Sequence, residues 1–137
     1  MTEDPKIAII VINWNGRDDT LECLASVRQV DYPHFEVIVV DNGSSDNSVE
    51  AIRNAFPEVT VIETRENLGF AGGNNVGMRH ALKNRSEYIF LLNNDTVVDS
   101  QILKSFIRSS RLLPRDAILS AKIYYYSNPD KIWYAGA

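Results

Sequence analysis

The sequence is short of the features that mark several protein classes, and each shortage excludes something. It holds one cysteine, Cys23, in 137 residues, so neither an intrachain disulfide nor a cluster of thiolate metal ligands can form. The helical surroundings of Cys23 suggest a small buried hydrophobe rather than a nucleophile. Two histidines, His34 and His80, stand far apart without metal-ligand spacing and read as surface residues. Basic residues are the minority, 14 Lys and Arg against 18 Asp and Glu for a net charge of −4. That balance argues against a general nucleic-acid binder, whose phosphate-facing surface would be basic. Arg108, Arg111 and Arg115 come nearest to a basic cluster and read as a solvated helix face. No apolar run approaches the roughly 18 residues of a membrane span. Met1 to Lys6 is polar and acidic, without the basic region or cleavage site of a signal peptide, so the expected location is the cytoplasm. Repeats, linkers and low-complexity tracts are also missing. A composition that is 45% hydrophobic and 23% charged then implies one globular domain.

What is present is alternation. Lys6 to Asn13 is a continuous apolar run, as expected of a strand covered on both faces. Arg17 to Gln29 has helical spacing through Leu21, Leu24 and Val27, with Asp18 and Asp19 near its positive end. Phe35 to Val40 is a second β-branched run, ending at Asp41. Ser44, Ser45 and Asp46 offer caps for a helix from about Asn47 to Ala55, which Pro57 ends. Val59 to Glu63 is a third strand. A loop from Asn67 to Gly73 leads to a helix reaching Lys83, and Tyr88 to Leu92 is the fourth strand. Ser100 to Leu112 fits a helix stopped by Pro114, with Asp99 as its cap. Ile118 to Tyr126 and Ile132 to Tyr134 look like strands around a Ser127-Asn128-Pro129-Asp130 turn. Tyr124, Tyr125 and Tyr126 should alternate between buried and exposed sides. Strands alternating with helices over short loops predict an α/β fold, a mainly parallel sheet with helices on both faces.

In such sheets ligands bind outside the carboxyl ends of the strands, where strand order reverses. Those ends carry Asn13-Trp14-Asn15, Asp41-Asn42-Gly43-Ser44 and Asn93-Asn94-Asp95, so polar residues collect on one rim. Asp41 can accept hydrogen bonds from a ring N–H or from ribose hydroxyls; its alternative role is a helix cap. The segment Asn67 to Gly77 is glycine-rich at a helix start, which lets backbone approach a ligand, or a sheet, closely. It follows the third strand, so it is not a dinucleotide fingerprint. One carboxylate with amide oxygens at Asn93-Asn94-Asp95 suits a hard divalent cation that takes its other ligands from a diphosphate and water.

Taken together, Ile9 to Asn15, Val39 to Asp46, Asn67 to Gly77 and Leu91 to Asp95 resemble the family 2 glycosyltransferases, inverting enzymes of the A-type nucleotide-sugar (GT-A) fold. The resemblance covers about the whole chain in the family's order. It implies a Rossmann-like three-layer α/β/α domain, of which residues 1–137 would be the nucleotide-sugar-binding part, truncated at the C-terminal side. Val11, Asn13 and Asn15 are then expected at the base or ribose, and Asp41 at the nucleobase. Gly43, Asn67, Gly69, Gly73, Asn75 and Asn94 complete the expected nucleotide contacts. Asn93-Asn94-Asp95 matches the family's D-x-D signature, with Asp95 as ligand of Mg²⁺ or Mn²⁺ and Asn93 beside it. Two departures stand out: Asn93 replaces the signature's first aspartate, and Asn74 stands where family members often carry Arg.

The Asn-Asn-Asp form resembles the bacterial rhamnosyltransferase-like branch, which implies a dTDP- or UDP-sugar donor. The implied reaction is transfer to a saccharide or lipid-linked acceptor in polysaccharide or cell-surface glycan synthesis. It would take place in the cytoplasm or at the inner face of the membrane, with peripheral association of the whole protein. The general base would lie beyond Ala137; Asp116 and Asp130 read as turn residues, so no catalytic residue is expected in this chain. The isolated chain should bind donor and transfer sugar poorly or not at all. A non-catalytic nucleotide-binding module is one alternative. A nucleotidyltransferase is another, though it would carry a basic glycine loop where this chain has Trp14 to Asp19.

Overall fold

The computed structural model describes residues 4–136; Met1 to Glu3 of the polar N-terminal segment, and Ala137, lie outside the described residues. The chain divides into two compact units, with the boundary after Ile102. The first contains β1 (Ile7–Asn13), α1 (Arg17–Val27), β2 (Phe35–Asp41), α2 (Ser48–Ala55), β3 (Thr60–Glu63), α3 (Gly69–Lys83) and β4 (Tyr88–Asn93). The four strands form one parallel sheet in the order β3-β2-β1-β4. Strands β1 to β3 step outward in one direction and β4 returns to the other side of β1. The order therefore reverses between β1 and β4.

The apolar run in β1 is buried because that strand is central: Ile7 to Val11 are at most 2% exposed. Pleating sends Ala8 and Ile10 to one face, where they meet Ile38, Val40 and Ala81, with Val76 and Met78 of α3 packed alongside. Crossovers that run right-handed place α1 and α2 together on the opposite face and α3 alone on this one; α1 lies against α2, and α3 against β1 and β2. This is the three-layer, mainly parallel arrangement expected from the sequence. Among the described residues no helix is long and apolar enough to cross a membrane.

One boundary differs in a way that bears on the site. Gly69 to Gly73 belong to the first turns of α3, not to a loop. Glycine has low helix propensity, but here packing decides. A Cβ on Gly77 would sit 2.6 Å from Ile10 Cγ2, and one on Gly73 would sit 3.0 Å from the Asn42 amide. The glycines let α3 lie close on the sheet, so the packing role proposed for this segment holds at Gly73 and Gly77.

The second unit holds the body of α4 (Ile102–Ser110) and an antiparallel pair, β5 (Ile123–Tyr125) and β6 (Asn128–Tyr134). Asp99 Oδ1 accepts from the Gln101 N–H ahead of α4, the capping role expected of it. Arg108, Arg111 and Arg115 are exposed, as expected, though only Arg108 lies on α4. Three readings fail here. The strand expected over Ile118 to Tyr126 is confined to Ile123–Tyr125, and Asn128, Pro129 and Asp130 belong to β6 instead of a turn. In a two-stranded ribbon both strands are edges, where proline removes no partner's hydrogen bond, so Pro129 was a false stop signal. Tyr124, Tyr125 and Tyr126 are 45%, 42% and 74% exposed: the expected alternation is absent, with register shifts on both sides of Tyr124.

Candidate functional site

Parallel pairing sets the carboxyl ends of the strands side by side, with Asn13 opposite Asp41 and Ile12 opposite Asn93. The polar residues of three strand ends therefore meet at one rim. A buried chain of hydrogen bonds connects them. The Asp41 carboxylate, 3% exposed, accepts from Asn13 Nδ2 at 2.8 Å, from Ser44 Oγ at 2.6 Å and from the Ser44 N–H at 2.9 Å. Asn13 Nδ2 also donates to Ser44 Oγ at 3.0 Å. On its other side, Asn13 Oδ1 accepts from the Gly16 N–H and from Thr20 Oγ1, at 3.2 and 2.8 Å. Thr20 Oγ1 in turn accepts from Asn94 Nδ2 at 3.0 Å. A second tether runs to α3: Asn42 Nδ2 donates to the Gly69 carbonyl at 3.0 Å.

The helices that open onto this rim are capped from the same neighbourhood. Asp46 Oδ1 accepts from the Ser48 N–H and hydroxyl at the start of α2, and its Oδ2 accepts from the Arg17 N–H at the start of α1. One carboxylate thus serves the positive ends of two helices. Desolvation pushes its pKa upward, but the Ser48 hydroxyl and the backbone N–H groups outweigh that and hold Asp46 below the usual carboxylate range. With Asp46 in that place, Asp41 is not needed as the helix cap.

Left-handed backbone rings the rim: Asn15 at φ 50°, Gly43 at 78°, Asn47 at 61°, Arg65 at 63° and Gly69 at 71°. Asn tolerates this region and Arg does so only under constraint, so Arg65 is a local strain of roughly 1 kcal/mol. Gly43 is obligatory for a second reason, since a Cβ there would meet the backbone of Arg65 and Glu66 at 3.1–3.2 Å. Beside Asp41 opens a cleft of about 550 Å³ lined by Gly43, Ser44, Asn47, Arg53 and Arg65, among others. Arg53 is held by Glu63 at 2.8 Å.

On the other flank, Asn93 and Asp95 are exposed at the end of β4 and Asn94 is half-buried. The Asn93 carbonyl is fixed from beneath by Thr96 Oγ1 at 2.7 Å and by the Cys23 thiol at 3.7 Å. Burial pushes that thiol up to about 12, with Thr96 opposing and the Asp95 charge adding to the shift. Among the described residues no three His, Cys, Asp or Glu side chains gather into a metal cluster. A cation here would have Asp95 as its one carboxylate, with Asn93 as a neutral neighbour. That sparse oxygen set fits an ion whose remaining ligands come from a diphosphate and water.

The expected contact residues separate into two groups. Asn15, Gly43, Asn67, Gly69, Asn75, Asn93 and Asp95 reach the surface. Val11 and Asn13 are fully buried and offer a ligand no surface. Val11 lies in the sheet between Val39 and Leu92, and the Asn13 amide is wholly committed to its neighbours; both lie beneath the rim. Gly73 is likewise buried against Asn42. Asn74 is buried and donates to the Phe70 carbonyl of its own helix. Sequence reasoning passed over Thr20 and read Ser44 as a helix cap and strand-end residue, not as the partner of Asp41 and Asn13. Thr20 had a signal, a hydroxyl on the buried stripe of α1 with Cys23, Leu24 and Val27.

Residues 8–137 match the model of glycosyl transferase family 2. Glycosyltransferase GlyG of Streptococcus pneumoniae is 27% identical over 132 residues, covering 93% of this chain and 42% of that protein. Poly-beta-1,6-N-acetyl-D-glucosamine synthase of Staphylococcus epidermidis is 30% identical over 95 residues, 68% of this chain and 22% of that protein. Among solved structures, the mannosyltransferase PcManGT of Pyrobaculum calidifontis, in complex with GDP-Man and Mn²⁺, superposes with a TM-score of 0.72 at 27% identity, covering 80% of this chain and 33% of that one. TarS 1–349 of S. aureus in complex with UDP-GlcNAc gives 0.67 at 27% identity, with 78% and 31% covered. The chain spans less than half the length of each of these relatives. By its matched residues, its sheet and its rim, the chain belongs to glycosyl transferase family 2.

Proposed function

We propose that this chain is the donor-binding part of an inverting enzyme that transfers a sugar from a nucleotide-diphosphate sugar to a saccharide or lipid-linked acceptor in cell-surface glycan synthesis. The observation that carries the reading is the meeting of Asp41, Asn94 and Asp95 on one rim of the parallel sheet, with Asp41 and Asn94 joined through Asn13 and Thr20 by hydrogen bonds. Solved relatives with GDP-Man and Mn²⁺ or with UDP-GlcNAc support it. From the Asn-Asn-Asp form we infer a dTDP- or UDP-sugar of the rhamnosyltransferase-like kind. The place of action is the cytoplasm or the inner face of the membrane.

In this reading Asn15, Gly43 and Asn75 present surface to the nucleotide, while Asp41 holds the β2 turn and faces the base. Val11 and Asn13 support the floor. Asp95, with the Asn93 amide beside it, holds Mg²⁺ or Mn²⁺. Such an ion supplies charge neutralisation on the departing diphosphate. The chain's own contribution is to fix the donor in line for displacement at the anomeric carbon. The acceptor hydroxyl must lose a proton to a general base on the opposite face of the sugar, and no residue of this chain is assigned that role. The isolated chain therefore binds donor and transfers sugar slowly or not at all.

A non-catalytic nucleotide-binding module is the second reading, favoured by Asn93 where the signature carries aspartate. Calorimetric titration with UDP and dTDP, in Mn²⁺ and in chelator, tests the donor site. Mn²⁺ should tighten binding at least tenfold, and Asp95→Ala should abolish that gain. Equal binding with and without metal would refute the metal assignment, and no binding to either nucleotide would refute the donor site. Sugar transfer by a longer form of the protein separates enzyme from module.

A further inference from the structure

We infer that Thr20 is a positioning residue that couples the nucleotide side of the rim to its metal side by fixing which end of the Asn94 amide faces the ligand. The inference rests on the donor-site reading above. Its basis is the direction of each hydrogen bond in the buried chain.

The Gly16 backbone N–H can only donate, so the Asn13 atom it meets is Oδ1. The Asn13 NH₂ group then faces β2, where it donates to Asp41 at 2.8 Å and to Ser44 Oγ at 3.0 Å. That orientation leaves Asn13 Oδ1 facing α1, where it accepts from Gly16 and from Thr20. Thr20 has one hydroxyl proton, and Asn13 takes it. Only lone pairs then remain for Asn94, so the Asn94 NH₂ group must turn inward to Thr20, at 3.0 Å. The end of Asn94 left for the rim is its carboxamide oxygen, an acceptor suited to a ribose hydroxyl or to water on a cation. The orientation of Asn13 thus sets the polarity of a group two hydrogen bonds away, just past the end of β4.

Space as well as polarity constrains the chain. Thr20 and Asn13 are fully buried, and among the described residues no buried side-chain nitrogen or oxygen lacks a partner. A Cβ on Gly16 would stand 2.5 Å from Asn94 Nδ2, so the α1 entry holds the amide against Thr20. Thr20 touches no ligand in this arrangement and acts through Asn94 and its neighbour Asp95.

Thr20→Val keeps the shape and removes both hydrogen bonds, whereas Thr20→Ser keeps the hydroxyl. UDP affinity is measured by calorimetry on the 137-residue chain, in Mn²⁺ and in chelator, alongside thermal melting. Thr20→Val should lose about tenfold of the Mn²⁺-dependent gain, the size expected for one misplaced polar contact. It should keep its chelator affinity within about twofold, and Thr20→Ser should restore the gain. Added to Asn94→Ala, Thr20→Val should cause no further loss, because its effect passes through Asn94. A full gain in Thr20→Val, an equal loss with and without metal, or collapse of its fold would each overturn the coupling and leave Thr20 as plain structure. Wild-type chain without any Mn²⁺-dependent UDP binding would instead overturn the donor site itself, and this inference with it.

Discussion

The carboxamide of Asn13 has two donor and two acceptor positions, and all four are used. Ser44 is as fully committed, donating to Asp41 and accepting from Asn13 and from the Asn15 N–H. Buried polar groups tolerate this environment only when satisfied, so the chain is a rigid support for the exposed residues above it. Cys23 lies beneath the Asn93 carbonyl, and its thiol donates one weak hydrogen bond to it. With its thiol pushed up to about 12, the thiolate fraction at pH 8 is about one in 10⁴, and the thiolate is the reactive form. In chelator, iodoacetamide should leave Cys23 unmodified over an hour in the folded chain and label it within minutes in urea, as read by mass spectrometry. Rapid labelling of the native protein would show that the floor under Asn93 opens.

At the scale of elements, the two ends of the sheet are built differently. The carboxyl end holds the amide and hydroxyl chain that runs to Asp41; the amino end holds an ion pair. There Glu36 of β2 accepts from Ser86 and Asn84 ahead of β4 and pairs with Lys6 ahead of β1 at 3.1 Å. Desolvation acts to raise the Glu36 pKa, but Ser86, Asn84 and Lys6 together bring it below the ordinary value. A carboxyl whose pKa falls on folding adds stability above its unfolded value of roughly 4.3. That stability is lost as pH drops through the folded pKa. Glu36→Gln should therefore cost about 1–2 kcal/mol at pH 7, and the gap should close as pH falls through the folded pKa, measured by urea unfolding across pH. A gap that does not narrow as pH falls would mean that packing, not ionisation, explains the clamp. Because that clamp lies at the far end of the strands, nucleotide affinity at pH 7 should not change.

At the scale of the whole molecule, what could be read from sequence followed from the period of its signals. The four parallel strands were legible because β1 and β2 are continuous apolar runs ending in polar residues. Those endings also gave the rim, since a parallel sheet brings successive carboxyl ends together. The start of α3 was not legible, because glycines that weaken an isolated helix strengthen this one by letting it approach Ile10 and Asn42. The β5–β6 pair was misjudged at Pro129, where edge geometry removes the usual objection to proline. That Val11 and Asn13 are fully buried was not legible, because a motif shows which residues a site needs, not how deep each of them lies. Thr20 was passed over because a lone threonine in a helix has many meanings until its hydroxyl is seen between Asn13 and Asn94.

The central claim is that nucleotide and cation are held together on the carboxyl-end rim, with the cation on Asp95. It is tested most directly by Mn²⁺-induced broadening of backbone amide NMR signals, with and without UDP. With UDP present, broadening should be strongest at Asn94, Asp95, Thr96 and Gly16 and weakest at Glu36, Asn84 and Ser86, and Asp95→Ala should remove it. Broadening centred on the acidic amino-end clamp, or unchanged in Asp95→Ala, would contradict the account.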